Sequence, residues 1–169
     1  MTAQNPDVKD PDLDTVAFGG AGPMALFTHL ARTSLFLEAL QDECLASFGI
    51  SFADYATLRV LEYQGPGGAV SPTRLAEIVV RTTGGMTKTI DRLERHGLVT
   101  RTPDPTDRRG VLVRLTAKGR RLCDNASAAY IVVRQRLLAE LGDDEIQTID
   151  TALRRLLDVF ETDHARGDP

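Results

Sequence analysis

The stretch LAEIVVRTTGGMTKTIDRLERHGLVTRTPDPTDRRGVLVRLTAKG, residues 75–119, decides the fold. It reads as the end of a short helix, a turn near Arg81, a second helix from Thr82 to about His96, and two β-branched runs, Leu98–Thr102 and Val111–Leu115. Thr82 suits an N-cap, because its hydroxyl can accept from an N–H that the first helical turn leaves unpaired. Met86, Ile90 and Leu93 recur at helical spacing and mark the buried face. Gly97 fits a left-handed C-terminal cap. Between the two runs, Pro103-Asp104-Pro105-Thr106-Asp107-Arg108-Arg109-Gly110 is too long and too charged for a tight hairpin. Helix, turn, helix, then hairpin is the order of a winged helix-turn-helix, whose second helix fits a major groove about 12 Å wide.

Working outward, apolar residues upstream recur at Met24, Phe27, Leu30, Leu35, Leu37, Leu40, Cys44, Leu45 and Phe48, a long helix that stops at Gly49. Ser51 opens the next helix, with Asp54 three residues on as an approximate capping box. Tyr55, Leu58 and Leu61 form its buried face, and Gly65-Pro66-Gly67-Gly68 ends it. Ser71-Pro72 then reads as N-cap and first residue of a short helix through Val79. Downstream, Thr116 caps a long helix with Leu122, Ala126, Ala129, Tyr130, Val133, Leu137 and Leu141 on one face, broken at Gly142. Asp143-Asp144-Glu145 complements the dipole of a last helix, apolar at Ile146, Ile149, Leu153, Leu156, Leu157 and Phe160.

The expected class is mainly α with a small β-hairpin wing: a winged helix-turn-helix core flanked by long dimerisation helices. Residues 1–22 are expected to be a disordered acidic tail and 23–50 a first dimerisation and ligand helix. Residues 51–116 form the DNA-binding domain, 117–163 the C-terminal dimerisation helices, and 164–169 a tail. The terminal helices carry more apolar surface than one small winged helix can cover, which predicts a two-fold dimer. Its recognition helices would meet successive major grooves about 34–36 Å apart.

At 169 residues the chain suits one domain, or one domain with an elaboration. No apolar run approaches the ~18 residues of a membrane span. The acidic start, Met1–Asp14, lacks the order of a signal peptide, so a cytoplasmic protein is expected. Cys44 and Cys123 are too few and too far apart for a disulfide framework. The net charge of −4 looks wrong for a nucleic-acid binder until it is divided along the chain. Residues 71–121 hold 12 Lys/Arg against 5 Asp/Glu, whereas the remaining 118 residues hold 8 against 19. An acidic body repels phosphate everywhere except at the basic segment, which favours one docking face.

On the second helix, Thr82, Thr83, Thr87, Lys88 and Arg92 can point outward. Gly84 and Gly85 each lower helix propensity by roughly 1 kcal/mol relative to Ala. They either clear the groove entrance of side-chain bulk or let two helices pack tightly. Arg74, Arg95, Arg101 and Lys118 are candidate phosphate contacts. Enzyme motifs are absent: no phosphate-binding Gly-rich loop, no dinucleotide fingerprint, no G-x-S-x-G. His29, His96 and His164 stand apart, so no metal site and no cofactor are expected. A winged-helix module that binds protein and not DNA is the alternative from another class, and Arg108-Arg109 argue against it.

Asp104-Pro105-Thr106-Asp107-Arg108-Arg109, followed by a strand ending Leu115-Thr116, resembles the wing of the MarR family of bacterial transcription regulators. The resemblance extends from Met24 to Phe160. It implies a homodimer on double-stranded DNA with a palindromic operator, usually a repressor released by a small ligand. It implies that Arg108 and Arg109 reach a narrow, electronegative minor groove. Asp107, which would repel phosphate, orients an arginine. Zinc-sensing relatives carry histidines on the long fifth helix, and this chain has none between Thr116 and Leu141. Thiol sensors carry a cysteine early in the first helix, whereas Cys44 lies near its end on the apolar stripe. The family's ligand pocket, between the dimer helices and the winged domain, would here involve His29, Arg32, Phe36, Phe52, Tyr55 and Arg59. The two arginines would suit an anionic aromatic effector.

Overall fold

The computed structural model describes residues 23–65 and 67–166. The expected tail at 1–22, the end of the one at 164–169, and the Met24 side chain lie outside them. The described residues fall into two compact units that divide between Cys123 and Asp124. The elements run α1 (Pro23–Ala46), α2 (Phe52–Tyr63), β1 (Ala69–Val70), α3 (Pro72–Ile78), α4 (Thr83–Arg95), β2 (Val99–Pro103), β3 (Val111–Leu115), α5 (Ala117–Leu138) and α6 (Asp143–Arg166). No helix among the described residues is long and apolar enough to cross a membrane.

The first unit is built around α2, α3, α4 and a three-stranded antiparallel sheet in the order β1-β3-β2. The sequence reading has a two-stranded wing. β1 escapes it because only two residues after the glycine-rich turn are extended, with Ala69 opposite Arg114 and Val70 opposite Val113. β2 and β3 pair from Val99↔Leu115 to Pro103↔Val111. Leu58, Leu61, Leu75, Met86, Ile90, Leu93 and Val113 are all at most 1% exposed and form the core. Burying such a side chain contributes roughly 1.5–3 kcal/mol, so these positions hold α4 and the wing at fixed orientation.

Caps set the helix boundaries. Ser51 and Asp54 form a full capping box, with the Asp54 N–H donating to Ser51 Oγ at 3.3 Å and the Ser51 N–H to Asp54 Oδ2 at 3.0 Å. The Thr116 hydroxyl accepts from the Gly119 N–H at 3.0 Å and donates to the carbonyls of Gly97 and Leu98. A Cβ on Gly119 would collide with the Leu98 carbonyl oxygen, so only glycine lets the first turn of α5 lie against the start of the wing.

The last helices depart from the sequence reading at their ends. α5 finishes at Leu138 and not Leu141; Ala139 and Leu141 turn back onto Arg136 and Leu138 instead. α6 continues past residue 163 to Arg166, into the stretch expected as a tail. Within α5, Ala126 and Tyr130 are buried, and the Arg134 guanidinium lies 5.2 Å from the Tyr130 ring centre. No residue of α6 is buried in the single chain: Ile149, Leu153, Leu157 and Phe160 are all 44–53% exposed. On α1, Phe27, Leu35 and Leu37 are exposed too, whereas Leu45 is fully buried.

Candidate nucleic-acid interface

Thr82 caps α4, accepting from the Gly85 N–H at 3.1 Å. The first turn beyond it is open. Thr83, Gly84, Thr87 and Lys88 are all exposed, opposite the buried Met86, Ile90 and Leu93. A Cβ on Gly84 would have nothing within 4 Å, and one on Gly85 would meet only Thr82 Oγ1 and the Arg81 stem. Neither glycine serves a tight helix–helix contact. Thr87 donates to the Thr83 carbonyl of its own helix at 3.0 Å, which leaves the hydroxyl oxygen facing outward.

Arg92 is turned elsewhere. Its Nε donates to both oxygens of Asp54, at 3.1 and 3.0 Å, and its Nη2 donates to Asp54 Oδ1 at 2.7 Å. Asp54 is 2% exposed. The expected reader is therefore a fastener between the N-terminus of α2 and the middle of α4, because a buried carboxylate without a cation is far costlier than an unmade surface contact. Asp54 was legible in the sequence only as a cap.

Other basic candidates are likewise engaged. Arg101 pairs with Asp91 and Glu94, and its backbone N–H donates to Glu94 Oε1. Partial burial alone would lower the Arg101 pKa, but the hydrogen bonds to Asp91 and Glu94 outweigh it and raise it. Arg74 pairs with Glu77 at 2.8 Å on the surface. Lys118 donates to the His96 carbonyl at 2.8 Å, closing the C-terminus of α4. Arg95 is exposed.

The wing tip is ordered by two aspartates acting on backbone. Asp104 Oδ1 accepts from the Thr106 N–H at 2.8 Å and its hydroxyl at 2.7 Å. Asp107 Oδ1 accepts from the Arg109 N–H at 2.9 Å. Asp107 thus holds the main chain of Arg109 and not its guanidinium, which corrects the form of orientation expected from the sequence. Gly110 closes the loop, since a Cβ there would come within 2.8 Å of Asp104 Cβ. Arg108 and Arg109 are left exposed at the tip. Arg114 braces the base of the wing through Thr102 and the Gly67 carbonyl.

The six expected ligand residues are divided between α1, with His29, Arg32 and Phe36, and α2, with Phe52, Tyr55 and Arg59. Tyr55 is buried, with its ring centre 6.2 Å from that of Phe52. Arg59 is paired with Glu62, which also accepts from Cys123 Sγ at 3.5 Å. His29, Arg32 and Phe36 are exposed on α1. Of the six, only Phe52 lines the groove beside α2.

An exposed recognition helix and an arginine-tipped three-stranded wing on one buried core define a winged helix-turn-helix protein. The family model described as MarR family matches residues 48–110. The Multiple antibiotic resistance protein MarR of Escherichia coli is 30% identical over 136 residues, spanning 80% of this chain and 91% of that one. The transcriptional regulator PecS of Dickeya dadantii is 28% identical over 147 residues, 87% of this chain and 82% of that one. The chain belongs to the MarR family of transcription regulators. Among solved structures, a mutant E. coli MarR complexed with operator DNA matches with TM-score 0.70 at 27% identity, over 86% of this chain and 99% of that one. CouR from Rhodococcus jostii bound to p-coumaroyl-CoA matches with TM-score 0.68 at 27% identity, over 78% and 90%.

Proposed function

We propose that this protein is a homodimeric repressor that binds a palindromic operator in the cytoplasm and releases it when a small ligand binds. The observation that carries the reading is the open first turn of α4 beside a wing tip whose two arginines stand free of the carboxylates that order its backbone. The relative held with operator DNA and the relative held with an acyl-CoA support the DNA and ligand halves in turn. The exposed apolar sides of α1 and α6 support a second copy as their cover, since such a surface left in water forfeits roughly 25 cal/mol for each Å².

The test is retention of the chain's own promoter fragment across a salt series. Six to ten phosphate contacts lose roughly 10³–10⁵ in affinity between 50 and 200 mM salt. A steep loss is expected although the protein is net acidic. No retention at low salt, or a flat dependence, favours a protein-interaction module instead.

A further inference from the structure

On the exposed face of α4, Thr87 and Lys88 differ in what they have left to offer a partner. The Thr87 hydroxyl lies 3.0 Å from the Thr83 carbonyl oxygen. A carbonyl carries no proton, so the hydroxyl proton is the one spent in that bond. What Thr87 turns outward is an oxygen with a free lone pair, an acceptor and no longer a donor. Lys88 is the reverse. Its ammonium can only donate, and no hydrogen bond or ion pair among the described residues takes it.

The surroundings keep these two roles intact. Asp91, one turn further along α4, would offer a second acceptor beside Thr87, but its carboxylate is held by Arg101. Gly84 lies one turn before Lys88, and a Cβ there would meet nothing within 4 Å. Helical side chains lean toward the N-terminus of their helix. The Lys88 stem therefore has open surface to cross on its way to the first turn of α4, the end that meets base edges. Met86, Ile90 and Leu93, at most 1% exposed, fix the opposite side, so neither residue can rotate inward.

We propose that Thr87 and Lys88 set the base preference of each operator half-site: Thr87 selects a base with an exocyclic amine, cytosine or adenine, and Lys88 selects guanine. In the major groove the donors are cytosine N4 and adenine N6, whereas guanine presents O6 and N7 and thymine presents O4, all acceptors. Guanine or thymine in front of Thr87 sets acceptor against acceptor and leaves a desolvated oxygen unpaired. Guanine alone offers an ammonium two acceptors on one base edge. Consecutive Cα atoms lie about 3.8 Å apart and stacked bases about 3.4 Å, so the two side chains fall on neighbouring base pairs. This base assignment rests on the DNA-binding reading above.

The experiment is selection of bound duplexes from a random-sequence library by the full chain, comparing the parent, Thr87→Val and Lys88→Ala at one salt concentration. Valine keeps the shape of threonine and removes the oxygen. In each half-site the parent is expected to enrich one base pair that carries its amine on a fixed strand, next to a G·C pair of fixed orientation. Each preference should be about tenfold. Thr87→Val should flatten the first preference and keep the second, and Lys88→Ala should do the opposite. Both variants should melt like the parent, since neither side chain is buried. The assignment is overturned if either variant keeps the preference it should lose, or if either erases both together. A thymine that persists in front of Thr87→Val would mean a methyl contact, and overturns it as well. So does retention of duplexes with no enriched base pair, which leaves general DNA binding standing. A parent that retains no duplex at all removes the DNA-binding reading itself, so the two failures are distinct.

Discussion

Asp54 and Arg92, 38 residues apart, are joined by three hydrogen bonds from one guanidinium to one carboxylate. The same carboxylate accepts from the Ser51 N–H and hydroxyl at 3.0 and 2.9 Å. One acid therefore starts α2 and fixes the rotation of α4 about its axis. The open turn at Thr83–Thr87 faces outward because the opposite side of the helix is tied here as well as through Met86, Ile90 and Leu93.

Breaking this tie should unsettle both the fold and the presentation of α4. Asp54→Ala removes the side-chain half of the capping box and leaves Arg92 half-exposed without its partner, at a cost of about 2–4 kcal/mol. Arg92→Lys should recover little, since a single ammonium cannot reproduce a two-pronged pairing. Urea unfolding midpoints check this; parent-like midpoints for Asp54→Ala would show the pairing to be unimportant.

At the wing, Arg109→Ala should weaken operator binding by roughly 1–3 kcal/mol, the scale of one good base or groove contact. Lys118→Ala should cost the DNA less, because that ammonium already closes α4 at His96. Asp107→Ala should fall between them, since it frees the Arg109 backbone without removing its charge. Affinities at a single salt concentration, with circular dichroism as a folding control, rank the three.

Gly84→Ala separates the two explanations of the paired glycines. The space around a new methyl is empty, so the fold should gain up to about 1 kcal/mol from helix propensity. If Gly84 clears the way for DNA, the same variant should bind operator more weakly despite its greater stability. Equal or tighter operator binding would remove the groove-clearance role.

The α6 face gives a prediction about assembly. Ending the chain at Gly142 removes Ile149, Leu153, Leu157 and Phe160, all exposed in the single chain. The shortened protein should sediment as a monomer or aggregate. A well-behaved dimer would place the interface elsewhere.

Acid should loosen the wing tip. The backbone N–H of Thr106, then its hydroxyl, hold the Asp104 carboxyl below its ordinary pKa. A depressed carboxyl contributes order that is complete above its unfolded value, near 3.9, and is lost as pH falls through the folded one. Protection of the Thr106 amide from exchange, relative to an unstructured peptide at the same pH, should therefore fall only below about pH 4. Protection that does not change with pH in that range would mean the turn holds without Asp104.

The winged helix was legible in the sequence because its determinants are local. Thr82, Thr116 and the Ser51–Asp54 pair announce their helices through hydrogen bonds spanning three residues, and Met86, Ile90 and Leu93 announce a face through a periodicity any helix obeys. Charge segregation, too, needs only counting. What the tertiary structure alone decided is which polar groups are spent inside the protein. Arg92, Arg101 and Lys118 looked like DNA contacts because a sequence shows charge without showing distance. Folding brings Asp54 to Arg92 from 38 positions away, and sets His96 beside Lys118 from 22. Ligand residues suffered the same ambiguity, since aromatic and basic side chains spaced along α1 and α2 imply no common cavity. Val80 is the converse case: its left-handed backbone, φ +52°, arises from how α3 stops, a conformation that valine as a residue type argues against.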